Sequence, residues 1–141
     1  MEAEAISILK EKKLRITSTR VELLTLFLQS SKAFSLSDVE ALFGNKYDRS
    51  TLFRSLHSLH VEHILEKFID SRGVSVYTLN TPTTDKGDLH CHFKCNDCET
   101  VLPLPELPKY YLSLLGSNTV KTLNLLIEGT CENCQLVDKR R

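Results

Sequence analysis

Two Cys-x-x-Cys knuckles constrain this chain more than anything else in it: Cys95-Asn96-Asp97-Cys98 and Cys131-Glu132-Asn133-Cys134. Each knuckle turns tightly, so its two sulfurs converge on one side. Two facing knuckles put four sulfurs at the corners of a tetrahedron, the geometry zinc takes in closed structural sites. The stretch from Cys98 to Cys131 is longer than a simple zinc ribbon needs. A small subdomain therefore sits between the knuckles, and the metal pins its ends together. Disulfide bonding is the competing use of four cysteines. The paired spacing of four of the five cysteines, behind an N-terminus with no secretion signal, favours metal. The expectation is one structural zinc per chain, on Cys95, Cys98, Cys131 and Cys134.

A chain of 141 residues makes one or two small domains. Its 18 Lys and Arg balance 18 Asp and Glu, so any nucleic-acid surface must be a local patch rather than a global field. Residues 1–80 hold eleven basic against ten acidic side chains, which implies modest non-specific affinity for a polyanion. The N-terminal MEAEAISILKEKK starts acidic and lacks an apolar core, and no run of 18 apolar residues occurs, so no membrane partner is expected. Cysteines in a chain of this kind point to a reducing compartment, with the cytoplasm as the default location.

The periodicity predicts a fold class of α+β, a winged helix-turn-helix followed by a small α/β domain. Apolar residues among charges predict an amphipathic helix over 4–14 and a second, with a broad buried face, over 18–29, capped by a Thr or Ser of the preceding turn. A third helix is expected over 34–44, capped by Ser35 or Ser37 and ended by Gly44. Asp48 or Ser50 caps a fourth, over 49–62, whose Leu52, Leu56 and Leu59 lie on one face. From Ile64 the period changes to two, and the runs 64–70 and 74–79 flank Ser71-Arg72-Gly73 as a hairpin. Helices followed by a hairpin make a winged helix, with 49–62 as recognition helix. Residues 1–80 form this domain, the polar stretch 81–88 reads as a hinge, and 89–141 form a second domain. In the latter, strands are expected over 89–94, 100–104 and 120–127, with a short helix over 107–115 and a frayed tail at 139–141. Cys91, between Leu89 and Phe93 in the alternation, should be a buried, inert thiol.

In this order the pieces resemble the ferric uptake regulator superfamily of bacterial metal-responsive transcription regulators, as a divergent member. The likeness rests on Leu14-Arg15-Ile16-Thr17-x-x-Arg20, on Arg49-Ser50-Thr51-Leu52-Phe53-Arg54-Ser55-Leu56 (with Phe53 where the family usually has Tyr), on the His-x-His-x-x-Cys-x-x-Cys run 90–98, and on Gly129-x-Cys131-x-x-Cys134. The resemblance implies a homodimer through the C-terminal domain, a structural zinc on the four cysteines, and binding of double-stranded DNA at inverted-repeat operators, as a repressor. It implies no small-molecule substrate and no enzyme activity.

The DNA-binding residues expected on this reading are Arg15, Arg20, Arg49, Ser50, Thr51, Phe53 and Arg54. Residues near the start of a recognition helix meet base edges and phosphates. An Arg can fork onto guanine or a phosphate, and Phe53 offers a face to a thymine methyl. Arg15 resembles the family's basic residue that probes the minor groove; Arg20 and Lys46 are candidates to hold phosphates. His57, His60 and His63 read as polar helix-end residues rather than a metal stripe, with His63 in the left-handed region where the family has Gly.

The family's metal-sensing site lies between its domains, and here it is expected to be degraded or rebuilt. His90 and His92 match its His-x-His pair and are the candidate ligands for a second divalent metal. Ala33, Thr78 and Pro103 stand where other ligands are usual, and Leu89, Cys91 and Leu123 do so at a second family site. Two imidazoles leave a tetrahedral ion short of two ligands, which Asp85, Asp88 or Glu106 would have to supply.

Two other classes compete. His60-Val61-Glu62 with Cys95-x-x-Cys98 mimics a zinc deaminase. However, no Pro precedes Cys95, the second knuckle would be idle, and the histidine and glutamate fall in the recognition helix. A dimeric zinc-containing scaffold with a vestigial winged helix is the other.

Overall fold

A computed structural model of the chain describes residues 1–80, 91–105, 107–120 and 125–139. The chain divides into two compact units, Met1–Asn80 and Thr81–Arg141.

The first unit opens with α1 (Glu2–Glu11). It ends earlier than the apolar pattern predicts because Lys13 turns left-handed (φ +57°) and the Leu14 N–H reaches back to the Leu9 carbonyl at 2.9 Å. That six-to-one bond closes the helix as a Schellman motif. Helix α2 (Ser18–Leu28) starts at Thr17, whose hydroxyl accepts the Arg20 N–H at 3.3 Å. The expected third helix is shorter than predicted. Phe34–Ser35 form a strand, β1, and α3 runs Leu36–Phe43. Two tertiary interactions override helix formation at Phe34: pairing with Tyr77, and an edge-to-face contact with Phe27 at 5.5 Å. Ser35 and Asp38 then exchange side-chain-to-backbone hydrogen bonds of 3.1 and 2.8 Å, a capping box that fixes the helix start.

Helix α4 (Arg49–Val61) is capped by Asp48, which accepts the Thr51 N–H at 2.7 Å. Leu52, Leu56 and Leu59 are fully buried and bind α4 to the core that α1, α2 and α3 build. Each would cost about 2–5 kcal/mol if cut to Ala. The helix ends like α1: His63 takes φ +59°, and the Ile64 N–H bonds the Leu59 carbonyl at 2.9 Å. Strands β2 (Leu65–Ile69) and β3 (Ser75–Leu79) form the antiparallel wing, with Leu65 opposite Leu79 and Ile69 opposite Ser75, in the sheet order β1-β3-β2. Asp70 organises its turn. Its carboxylate accepts the N–H groups of Arg72 and Val74 at 2.9 and 3.0 Å and takes the Arg72 guanidinium at 2.7 and 3.0 Å.

The second unit contains β4 (Cys91–Cys95), β5 (Val101–Leu104), α5 (Lys109–Ser113), β6 (Leu125–Gly129) and α6 (Glu132–Lys139). Its sheet order is β5-β4-β6, with β5 antiparallel and β6 parallel to β4. Pro103 lies opposite His92 on the edge strand β5, where a missing N–H is tolerated. Strand β4 departs from the expected one-sided burial. Cys91, His92, Lys94 and Cys95 are all buried, while Phe93 is only half-buried. It is the central strand of a partly parallel sheet, the setting in which both faces are covered. Helix α6 has no counterpart in the sequence pattern: the second knuckle runs straight into it, with the Gln135 N–H on the Cys131 carbonyl at 3.0 Å. The predicted hinge 81–88, Leu89, His90, Glu106 and Leu123 lie outside the described residues. No helix among those described is long and apolar enough to cross a membrane.

Candidate functional site

The metal centre forms where β4 and β6 end side by side. Cys95 closes β4 opposite Gly129 of β6, and two residues later Cys131 opens the second knuckle. The first knuckle turns through Glu99, left-handed at φ +62°, whose N–H bonds the Cys95 carbonyl at 2.9 Å. The four sulfurs of Cys95, Cys98, Cys131 and Cys134 all lie within 4.8 Å of one another. The Cys95–Cys134 and Cys98–Cys131 pairs are 3.8 Å apart. Bonds of about 2.3 Å from zinc to sulfur imply a tetrahedron edge of about 3.8 Å, so the donor set fits the ion. All five cysteines are free thiols.

The first knuckle prepares its two sulfurs for a cation. Cys95 Sγ accepts N–H groups from Cys98 (3.5 Å) and Cys131 (3.3 Å). The Cys98 N–H foremost lowers the Cys95 thiol to about 6, against the opposing effect of burial. Thr100, whose hydroxyl lies 3.2 Å from Cys98 Sγ, lowers Cys98 as well. Cys134 is raised, chiefly by Cys131 beside it. Four thiolates this close repel unless a cation sits among them, which is why thiolate sites bind metal in competition with protons. Cys91 behaves differently: it is buried, lies outside the four-sulfur cluster, and burial pushes its thiol up.

The candidate nucleic-acid surface lies on the first unit. A shallow concavity of about 600 Å³ gathers Arg15, Arg20, Thr51, Phe53, Arg54 and His57, among others. Phe53 and Arg54 are exposed on α4, and Arg15 is carried by the turn after α1. Arg20, from α2, is tied inward. Its guanidinium donates to the Arg15 carbonyl at 2.7 Å and to Ser58 Oγ at 3.3 Å, joining the Arg15 turn to α4. Arg49 and Ser50 do not line the concavity. Arg49 pairs with Glu40 of α3, and Lys46 pairs with Glu22 at 2.6 Å, a hydrogen bond that raises the lysine above its usual range.

The three histidines diverge. His57 stacks on Phe53; His60 sits against Tyr77 with Nδ1 3.2 Å from the Leu65 carbonyl; His63 forms the left-handed cap. They form no metal cluster among the described residues. Thr17, Thr19, Ser55, His57 and Ser58 also line this surface, and sequence reasoning assigned none of them to DNA contact. The available signal for His57 was its spacing of four from Phe53 and three from Arg54, on the same helix face. Of the expected sensing pair, His92 is buried in β4 and His90 lies outside the described residues.

A winged helix with basic and aromatic side chains gathered beside its helix α4, in a chain that also builds a four-thiolate centre, defines a metal-bearing transcription regulator rather than an enzyme. The sequence profile of the ferric uptake regulator family matches residues 11–127. The chain belongs to that family of transcription regulators. It is 29% identical over 143 residues to the ferric uptake regulation protein of Neisseria meningitidis, covering 96% of both chains. To that of Staphylococcus aureus it is 28% identical over 135 residues, covering 94% of this chain and 96% of the relative. Among solved structures, the fold matches a zinc uptake regulator complexed with zinc and DNA with TM-score 0.73 and 20% identity, covering 98% of this chain and 95% of that one. It also matches the ferric uptake regulator of Francisella tularensis with iron, with TM-score 0.59 and 24% identity, covering 86% and 95%.

Proposed function

We propose that this chain is a dimeric cytoplasmic repressor that reads inverted-repeat operators through α4, holds one structural zinc on Cys95, Cys98, Cys131 and Cys134, and carries a degraded or rebuilt metal-sensing site. The observation that carries the DNA reading is the gathering of Arg15, Arg20, Thr51, Phe53 and Arg54 around one concavity of the winged-helix unit. Arg54 and Phe53 meet base edges, Arg15 reaches the backbone or the adjoining groove, and Arg49, Ser50 and Lys46 lie at the helix start where phosphates pass. Zinc acts as a cross-link and supplies no reaction chemistry.

Dimerisation is supported by apolar side chains that the second unit leaves at its surface: Leu102, Tyr110, Tyr111, Leu114, Ile127 and Val137 are each at least 47% exposed. So many large apolar groups on one small unit mark an interface, and a twofold dimer matches a palindromic operator. The altered sensing site is supported by Ala33, Thr78 and Pro103, which offer no ligand suited to a divalent metal; Ala33 and Thr78 are also buried. Selection of operators from random double-stranded DNA by the zinc-loaded full chain, with native mass spectrometry for mass and metal, tests the proposal. A palindromic motif, a dimer and one zinc per chain are expected. A zinc-bearing dimer that enriches no sequence would replace the regulator with a scaffold bearing a vestigial winged helix.

A further inference from the structure

We propose that His57 determines sequence specificity: stacked on Phe53, it donates a ring N–H to the N7 of a purine in the major groove. The inference rests on the reading that α4 enters that groove. Residue 57 lies four positions beyond Phe53 and three beyond Arg54, the spacings that put helix residues on one face. Both His57 and Phe53 are exposed and line the concavity that holds Arg15 and Arg54. Their rings are nearly parallel, with centroids 6.2 Å apart and planes 12° apart.

A stack of this kind holds the imidazole by its face and leaves the nitrogens, which sit on its rim, free to meet a partner. His60 shows the alternative three residues away, with Nδ1 engaged by the Leu65 carbonyl and the ring against Tyr77. Among the described residues the His57 ring makes no such hydrogen bond; its one ring partner is Phe53.

The chemistry is complementary. Phe53 has no hydroxyl and reads only by apolar contact. Imidazole carries at least one N–H in either protonation state, and N7 is a major-groove acceptor on both adenine and guanine but on neither pyrimidine. His57 therefore separates purine from pyrimidine. Four residues of helix advance about 6 Å, so the purine lies about two base pairs beyond the base that meets Phe53, at about 3.4 Å per pair.

The zinc-loaded full chain is first used to select its operator. Fluorescence anisotropy then measures binding to operators in which each purine in turn is replaced by its 7-deaza analogue, which lacks only the N7 acceptor. For the natural protein, one symmetry-related pair of replacements should weaken binding roughly 5- to 100-fold, the scale of one base contact. His57→Ala should bind the unmodified operator that much more weakly and be indifferent to those two replacements. Phe53→Leu keeps an apolar contact but removes the stack, and should blunt the same sensitivity. Circular dichroism checks that both variants fold, as expected for exposed helix positions. The proposal is overturned if His57→Ala selects an unchanged motif and keeps the deaza response. It is equally overturned if His57→Ala loses affinity on all sequences alike with a salt slope lower by about one, the mark of a phosphate contact. Failure of the natural protein to select any motif would remove the DNA reading itself, and is told apart by appearing before any substitution is made.

Discussion

The turn of the wing allows a stability prediction with two arms. Asp70 has its side chain only 1% exposed, although Ser71, Arg72 and Gly73 beside it are exposed. One carboxylate oxygen, Oδ1, accepts the backbone N–H groups of Arg72 and Val74; the other, Oδ2, faces the guanidinium. The Arg72 side chain is 64% exposed, so its ion pair is a surface pair, of roughly 0–1 kcal/mol. The two backbone donors matter more. Asp70→Ala removes their acceptor, at about 1 kcal/mol or more for each. We expect Asp70→Ala to destabilise the winged-helix unit by about 2–3 kcal/mol. Asp70→Asn keeps an oxygen at the Oδ1 position and should lose only about 1 kcal/mol or less. Burial works against ionisation here, but the Arg72 side chain and the backbone N–H groups of Val74 and Arg72 outweigh it, so the carboxyl is held below its usual range. A lowered folded pKa gives stability that is complete above the unfolded value of about 3.9 and disappears as pH falls through the folded one. Urea melts of the natural chain and both variants, at pH 7 and at steps below pH 4, read all of this. The gap between natural and Asp70→Ala chains should narrow only below pH 4. If Asn costs as much as Ala, the ion pair rather than the backbone acceptor organises the turn, and the reasoning fails.

Cys95→Ser should release the zinc, lower the melting temperature of the second unit and break the dimer; a variant that keeps its metal and mass would show the four thiols are not one site. Arg54→Ala should weaken operator binding by more than about 1 kcal/mol, read as a shift in anisotropy titrations, with little effect on random DNA. Arg20→Ala should weaken binding to all sequences and lower the salt slope. Because Arg20 ties the Arg15 turn to Ser58, Arg20→Lys should recover little of the loss, which binding and thermal melts together will show. Adding zinc, iron or manganese with the structural zinc in place should change operator affinity little. A gain on the order of a hundredfold that disappears in His90→Ala/His92→Ala would instead mean that a working sensor survives.

The parts legible in the sequence were those set by local rules. The knuckle spacing located the four sulfurs, the spacing of Leu52, Leu56 and Leu59 located the buried face of α4, and the caps were narrowed to Ser35 or Ser37 and to Asp48 or Ser50, of which the structure uses Ser35 and Asp48. The parts that were not legible depend on distant partners. Nothing near Phe34 announces a strand, because its partner Tyr77 is more than forty residues away. The burial of His92 and Lys94 follows from the central place of β4, which no single strand pattern reveals. Arg20 reads as a free cation in sequence, and only the fold turns its guanidinium toward a carbonyl and a serine. Helix α6 is only eight residues long and largely polar, so no apolar period announces it in the sequence.

The two knuckles also make the second unit a closed ring in the polymer sense. Cys98 and Cys131 are 33 residues apart, and the parallel pairing of β4 with β6 spans nearly the same interval. Parallel strands cannot be joined by a tight turn, so their ends must meet by a diffusive search with no local contact to guide them. On the chain-entropy estimate for covalent cross-links, closing a ring of that size removes about 4 kcal/mol of freedom from the unfolded chain. A metal that captures both knuckles early makes that search a short local zippering from the ligands outward. On this account a chain deprived of metal would fold its second unit more slowly, with β4 and β6 left to find each other unaided.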